Sequence, residues 1–163
     1  MAREHYTSRQ IAAHFAQGYL EKNEEPFVVR KFSSRLGKRL PELKKLGSAD
    51  CYQEIGSLLY CVNDMVGSCR DAAISSRMGE MDQADRRINR AAKRVREIGT
   101  LLTEIRDEHP QEYENSCRQF VEEWRDIRFD KGKGLLQTIE ESMGMFSVEE
   151  TPAPVQSDPV LTV

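Results

Sequence analysis

Two apolar stripes of equal length, one after the other between Ser48 and His109, restrict this chain more than any other feature. The first is Cys51, Ile55, Leu58, Val62, Met65, Cys69 and Ala72, whose positions step alternately by four and three. A second row, Tyr52, Leu59, Val66 and Ala73, repeats every seven residues beside it. Further on, Ala84, Ile88, Ala91, Val95, Ile98, Leu102 and Ile105 repeat the alternating step. Steps of three and four place side chains on one face of a helix. Each run of roughly 25–30 residues would be about 40–45 Å long at 1.5 Å per residue. Ser75, Ser76, Arg77, Met78 and Gly79 separate the runs. Matched lengths and a short connection predict an antiparallel helical hairpin over about 48–108. The broad apolar face of the first run suits the central helix of a bundle, covered by several neighbours.

The remaining sequence is consistent with an all-α bundle of five to six helices built around that hairpin. A chain of 163 residues suits one domain of ordinary size. Such a chain can bury a real core without disulfides or metal. Charged residues make up 31% and the mean hydropathy is −0.63. No apolar run approaches the roughly 18–20 residues of a membrane span, so no membrane association is expected. Met1 to Arg9 is polar and charged, with no apolar segment after it. That argues against a secretory signal and for a cytoplasmic location.

In chain order, Thr7 or Ser8 is placed to cap a first helix, with Ile11, Phe15 and Tyr19 on one face and Ala12 and Ala16 beside them. Asn23 to Pro26 reads as a stop and a new start. A second helix begins near Phe27, with Val28, Val29, Phe32, Leu36 and Leu40 facing one way. Pro41 predicts a kink or break near Leu40, and Gly47 a C-terminal stop. Ser48 is expected to cap the next helix. After His109-Pro110 a further helix carries Tyr113, Cys117, Phe120, Trp124 and Ile127, an aromatic seam expected to pack onto the hairpin. The run from Asp130 to Gly134 is expected to be a loop, followed by a short helix with Leu135, Leu136, Ile139 and Met143. The expected organisation is thus an N-terminal helical pair (1–46), a helical bundle (47–146) and a disordered tail (147–163) rich in proline.

Charge is segregated far more than the net value of −3 suggests. From Arg30 to Lys45 there are seven Lys or Arg and one acid, Glu42. From Arg86 to Arg96 there are six and no acid, whereas Glu104 to Asp126 holds eight acids against three arginines. Such asymmetry speaks to partners more than the total does. The stretch Thr7-Ser8-Arg9-Gln10-Ile11-Ala12-Ala13-His14-Phe15 resembles the opening helix of a helix-turn-helix DNA-binding unit. That resemblance makes Phe27 to Leu40 the recognition helix, with Arg30, Lys31, Arg35 and Lys38 reaching phosphates and base edges. The segment Ala16 to Pro26 is longer than the three- or four-residue turn of such units. On the fourth helix, Arg86, Arg87, Arg90, Lys93 and Arg94 fall within an arc of roughly 120° and can follow a phosphate backbone.

Catalysis finds little support. The histidines are His5, His14 and His109, and none lies in a zinc or di-iron pattern. The phosphate-loop and dinucleotide glycine patterns are missing too. Cys51, Cys61, Cys69 and Cys117 lack the close pairs a zinc site needs, and Cys51 and Cys69 sit on the apolar face as small hydrophobes. The expectation is therefore a non-enzymatic nucleic-acid-binding protein, a small DNA-binding regulator, with no catalytic residues, no metal and no cofactor. The alternative is a helical adaptor or inhibitor that binds a protein surface of opposite charge. Heptad stripes of this length also suit a homodimer, though one chain can satisfy them internally.

Overall fold

The computed structural model describes residues 6–22, 27–126 and 130–143. Six helices account for nearly all of them: α1 (Ser8–Lys22), α2 (Phe27–Leu46), α3 (Ala49–Arg77), α4 (Met81–Glu108), α5 and α6 (Asp130–Ser142). Helix α5 covers 110–125 in three consecutive pieces, Pro110–Glu112, a π-helical turn at Tyr113–Cys117, and Arg118–Arg125. There is no strand among the described residues, and no helix long and apolar enough to cross a membrane. The expected tail over 147–163, the stop at 23–26, Ile127 and His5 all lie outside the described residues.

The expected hairpin is the centre of the fold. Helices α3 and α4, of 29 and 28 residues, run side by side, and every member of both alternating stripes is buried. The turn between them is closed by Gly79 at φ +78°, a left-handed conformation that costs a side-chain-bearing residue energy. The N–H of Glu80 bonds the carbonyl of Ser75 at 2.9 Å, and that of Gly79 the carbonyl of Ser76 at 3.1 Å. Those bonds satisfy two of the last carbonyls of α3. The same device ends α2: Gly47 has φ +72°, and Ser48 N–H reaches the carbonyl of Leu43 at 3.4 Å.

The other helices cover what the hairpin leaves exposed. Helix α1 packs against α3, α4 and α6, and α2 packs against α3 and α5. Both place their apolar residues in the same continuous core as the hairpin. Thr7 caps α1: its Oγ1 accepts from Gln10 N–H at 3.0 Å, and Gln10 Oε1 accepts from Thr7 N–H at 2.8 Å, a reciprocal box that satisfies two free donors. At the other end Arg77 of α3 donates to the carbonyls of Tyr19 and Leu20 at 2.7 and 3.0 Å. Ala12, Ala13 and Ala16 are all fully buried, so the backbone of α1 can approach its neighbours closely. The aromatic seam of α5 meets α1 and α2. Phe15 packs edge-on to Trp124, Trp124 edge-on to Phe120, and Phe120 stacks on Phe32 with centroids 3.9 Å apart.

Two local expectations fail for physical reasons, and a third is met in position only. Helix α2 runs through Pro41 instead of breaking at Leu40. Proline removes the bond to the carbonyl of Gly37, but both residues face solvent, where water can take the donor's place. Helix α6 begins at Asp130, where a loop was expected. Two glycines in it cost about 1 kcal/mol each, and burial of Leu135 and Ile139 outweighs that. Ser48 occupies the N-cap of α3 but makes no side-chain cap bond.

Phe120→Ala removes the central ring of the aromatic chain. It should lower the unfolding free energy by about 3–5 kcal/mol in urea titrations. Combined with Phe32→Ala, the two losses should fall short of additive by about 1 kcal/mol. A loss below about 1 kcal/mol for the single variant would contradict this packing.

Candidate functional site

The cations singled out in the sequence fall into two groups. On α2, Lys31 Nζ pairs with Glu123 of α5 at 2.9 Å, and Arg35 donates to Gln119 Oε1 at 2.9 Å. Arg39, one turn on, grips Glu112 with two parallel bonds, Nε to Oε2 at 2.8 Å and a terminal nitrogen to Oε1 at 2.9 Å. The basic flank of α2 thus lies against the acidic helix α5. Arg30 and Lys38 remain exposed, with the Arg30 guanidinium 5.4 Å from the Phe27 ring centroid.

On α4 the balance differs. Arg90 forms a bidentate pair with Asp64 of α3, at 3.1 and 3.0 Å. Arg94 takes the same carboxylate at 2.7 Å and Glu97 at 2.5 Å. One acid therefore anchors two arginines. Arg86 bonds only the neutral Gln83, at 3.0 Å, and Lys93 is exposed. Neither has an acid partner among the described residues. Arg87 is half-buried, and its Nε is shielded from solvent without an acceptor. A shielded donor without an acceptor is costly and uncommon.

Gln83, Arg86, Arg87, Arg90, Lys93 and Arg94 together line a shallow depression of about 360 Å³. A neighbouring depression shares Gln83 and Arg86 but also carries the acids Glu80 and Asp82, which end the basic stretch on that side. Tyr60, 56% exposed, lies at the Arg94 end with the guanidinium 5.1 Å from its ring centroid. Sequence reasoning found the basic arc because it recurs at helical spacing. It missed Asp64, Gln83 and Tyr60, which lie off the apolar stripes and carry no motif.

The charges shift the titrations of their partners. Hydrogen bonding from Arg90 is the largest influence on the Asp64 carboxyl; with the Arg94 bond it outweighs burial and holds the group below its usual range. For Glu112, burial works to raise the value, but the Arg39 bonds, the Ser116 hydroxyl and the nearby positive charge together depress it. Burial raises Cys117 to about 12 and pushes Cys69 up further, so these thiols are inert small hydrophobes. At the far end of the hairpin, Glu54, Glu108 and His109 bring potential ligand atoms within 4.8 Å of one another. His109 Nε2 already lies 3.1 Å from Glu54 Oε1, an ion pair when the imidazole is protonated.

Glu112 supplies a pH test of the α2–α5 clamp. Its carboxyl is depressed in the folded chain, so its contribution is complete above the usual carboxylate value of about 4.3 and vanishes as pH falls through the folded value. Glu112→Gln should cost about 2 kcal/mol at pH 7, and the gap to the parent should narrow as urea titrations move below about pH 4. A gap that stayed constant on acidification would contradict the ion pair.

No protein-family model, no curated protein sequence and no solved structure matches the chain.

Proposed function

We propose that the protein binds nucleic acid, holding one phosphate backbone along the groove of α4. The observation that carries this reading is the uneven answering of its cations. Asp64 and Glu97 fix Arg90 and Arg94 in place, while Arg86, Arg87 and Lys93 line the same depression with no acid partner among the described residues. A guanidinium fork suits phosphate oxygens, and the Arg86 guanidinium and the Lys93 ammonium are exposed on this face. From Arg86 to Arg94 the helix rises about 12 Å. That length covers roughly three to four phosphates of one strand, at about 3.4 Å each along a duplex.

In this reading α2 takes no direct part. Lys31 and Arg35 are engaged by Glu123 and Gln119, and their role is to attach α5. Arg30 and Lys38 lie on α2, outside the α4 groove. The contact is non-enzymatic and electrostatic, as suits a small regulator that acts by occupying nucleic acid.

Fluorescence anisotropy of labelled oligonucleotides over a salt series tests it. Three or so phosphate contacts should give a log–log slope near −3 on duplex and near −2 on single strands. The triple variant Arg86→Gln, Arg87→Gln, Lys93→Gln should lose at least about tenfold in affinity at low salt and flatten that slope. The pair Arg30→Gln, Lys38→Gln should change little. Full retention of binding by the triple variant would overturn the site. Equal competition by polyglutamate would transfer the groove to an acidic protein partner.

A further inference from the structure

We infer that the strand held on α4 is single, and that Tyr60 of α3 is the platform on which one of its bases stacks. This rests on the nucleic-acid reading above and names the form of nucleic acid. Tyr60 is 56% exposed and lies beside the basic groove rather than on any apolar stripe. Its ring also meets a cation of that groove. Arg94 sits 5.1 Å from the ring centroid, and Arg94 is itself held by Asp64 at 2.7 Å and Glu97 at 2.5 Å. An anchored guanidinium attracts the aromatic face it meets, which favours a Tyr60 rotamer turned toward the cation track.

The pairing of a short cation track with an exposed aromatic is a recognition mode of single strands, where phosphates follow the charge and bases stack on rings. A duplex is poorly served by the same surface. Its bases are paired and stacked inside, out of reach of a side chain beside the backbone track. Phe27 is the natural control: it is exposed at 62% and lies beside cations, but on α2.

The test is anisotropy of a short labelled oligothymidylate, an abasic oligomer of equal length, and a hairpin duplex, with inorganic polyphosphate as competitor. The parent protein should prefer oligothymidylate to both the duplex and the abasic strand. Tyr60→Ala should weaken oligothymidylate binding about tenfold, leave its salt slope unchanged, and leave abasic-strand binding and polyphosphate competition as in the parent. Tyr60→Phe should restore affinity, and Phe27→Ala should have no effect. If Tyr60→Ala binds oligothymidylate as the parent does, while the Arg86, Arg87 and Lys93 variant loses it, the stacking role is overturned and the phosphate track stands. If the parent binds none of these probes at low salt, both readings are overturned.

Discussion

The apolar seam between α3 and α4 determines where everything else in the molecule can lie. Two helices of nearly equal length bury seven residues each from their alternating stripes. Each buried Leu, Ile, Val or Met is worth about 1.5–3 kcal/mol relative to exposure. The face of α3 is wider than α4 alone can cover, and the remainder receives α1 and α2. Those helices bring Phe15 and Phe32, and the two rings receive Trp124 and Phe120 of α5. The chain of aromatic contacts therefore ties α5 to the hairpin through α1 and α2. Helix α6 packs on α1 and, over a smaller contact, on α4.

Once the seam is set, the charges sort themselves by which flank they occupy. The cations of α2 fall toward α5, where Glu112 and Glu123 meet them. The cations of α4 fall on the outer flank, where Asp64 is the main acid and can satisfy only Arg90 and Arg94. Fork-shaped pairs such as Arg39–Glu112 hold helices in register with directional bonds. On α4 the same chemistry is half complete: two arginines are anchored and the others in the row are not. The folded chain therefore presents a positive edge despite its net negative charge, with Arg90 and Arg94 anchored and Arg86 and Lys93 exposed beside them.

The hairpin was legible in the sequence because its signal is local and repeated. Every residue of the two stripes is a separate vote for the same helix face, and all are buried. The breakers were misleading because they act one residue at a time. Pro41 is tolerated on a solvent face, and the glycines of α6 are overruled by Leu135 and Ile139. The basic arc on α4 was legible for the same periodic reason as the stripes. Which of its cations were already paired was not legible, because pairing joins helices far apart in sequence. Lys31 and Glu123 are 92 residues apart, Arg39 and Glu112 are 73, and Arg90 and Asp64 are 26. No spacing rule connects such positions until the fold brings them together. Tyr60 escaped notice for a related reason: it belongs to neither the apolar stripe of its helix nor the charge pattern of the next.

The division of arginines into structural and available groups is read most directly from their own Nε–H signals. Nitrogen–proton correlation spectra would be recorded while oligothymidylate is added at low salt, with Arg→Lys variants to assign the resonances. The Arg87 and Arg86 Nε–H signals should shift with increasing ligand, while the Arg39 signal, locked on Glu112, should stay in place. Movement centred on Arg35 and Arg39 with the α4 signals unchanged would contradict the division, and would move the binding surface to α2.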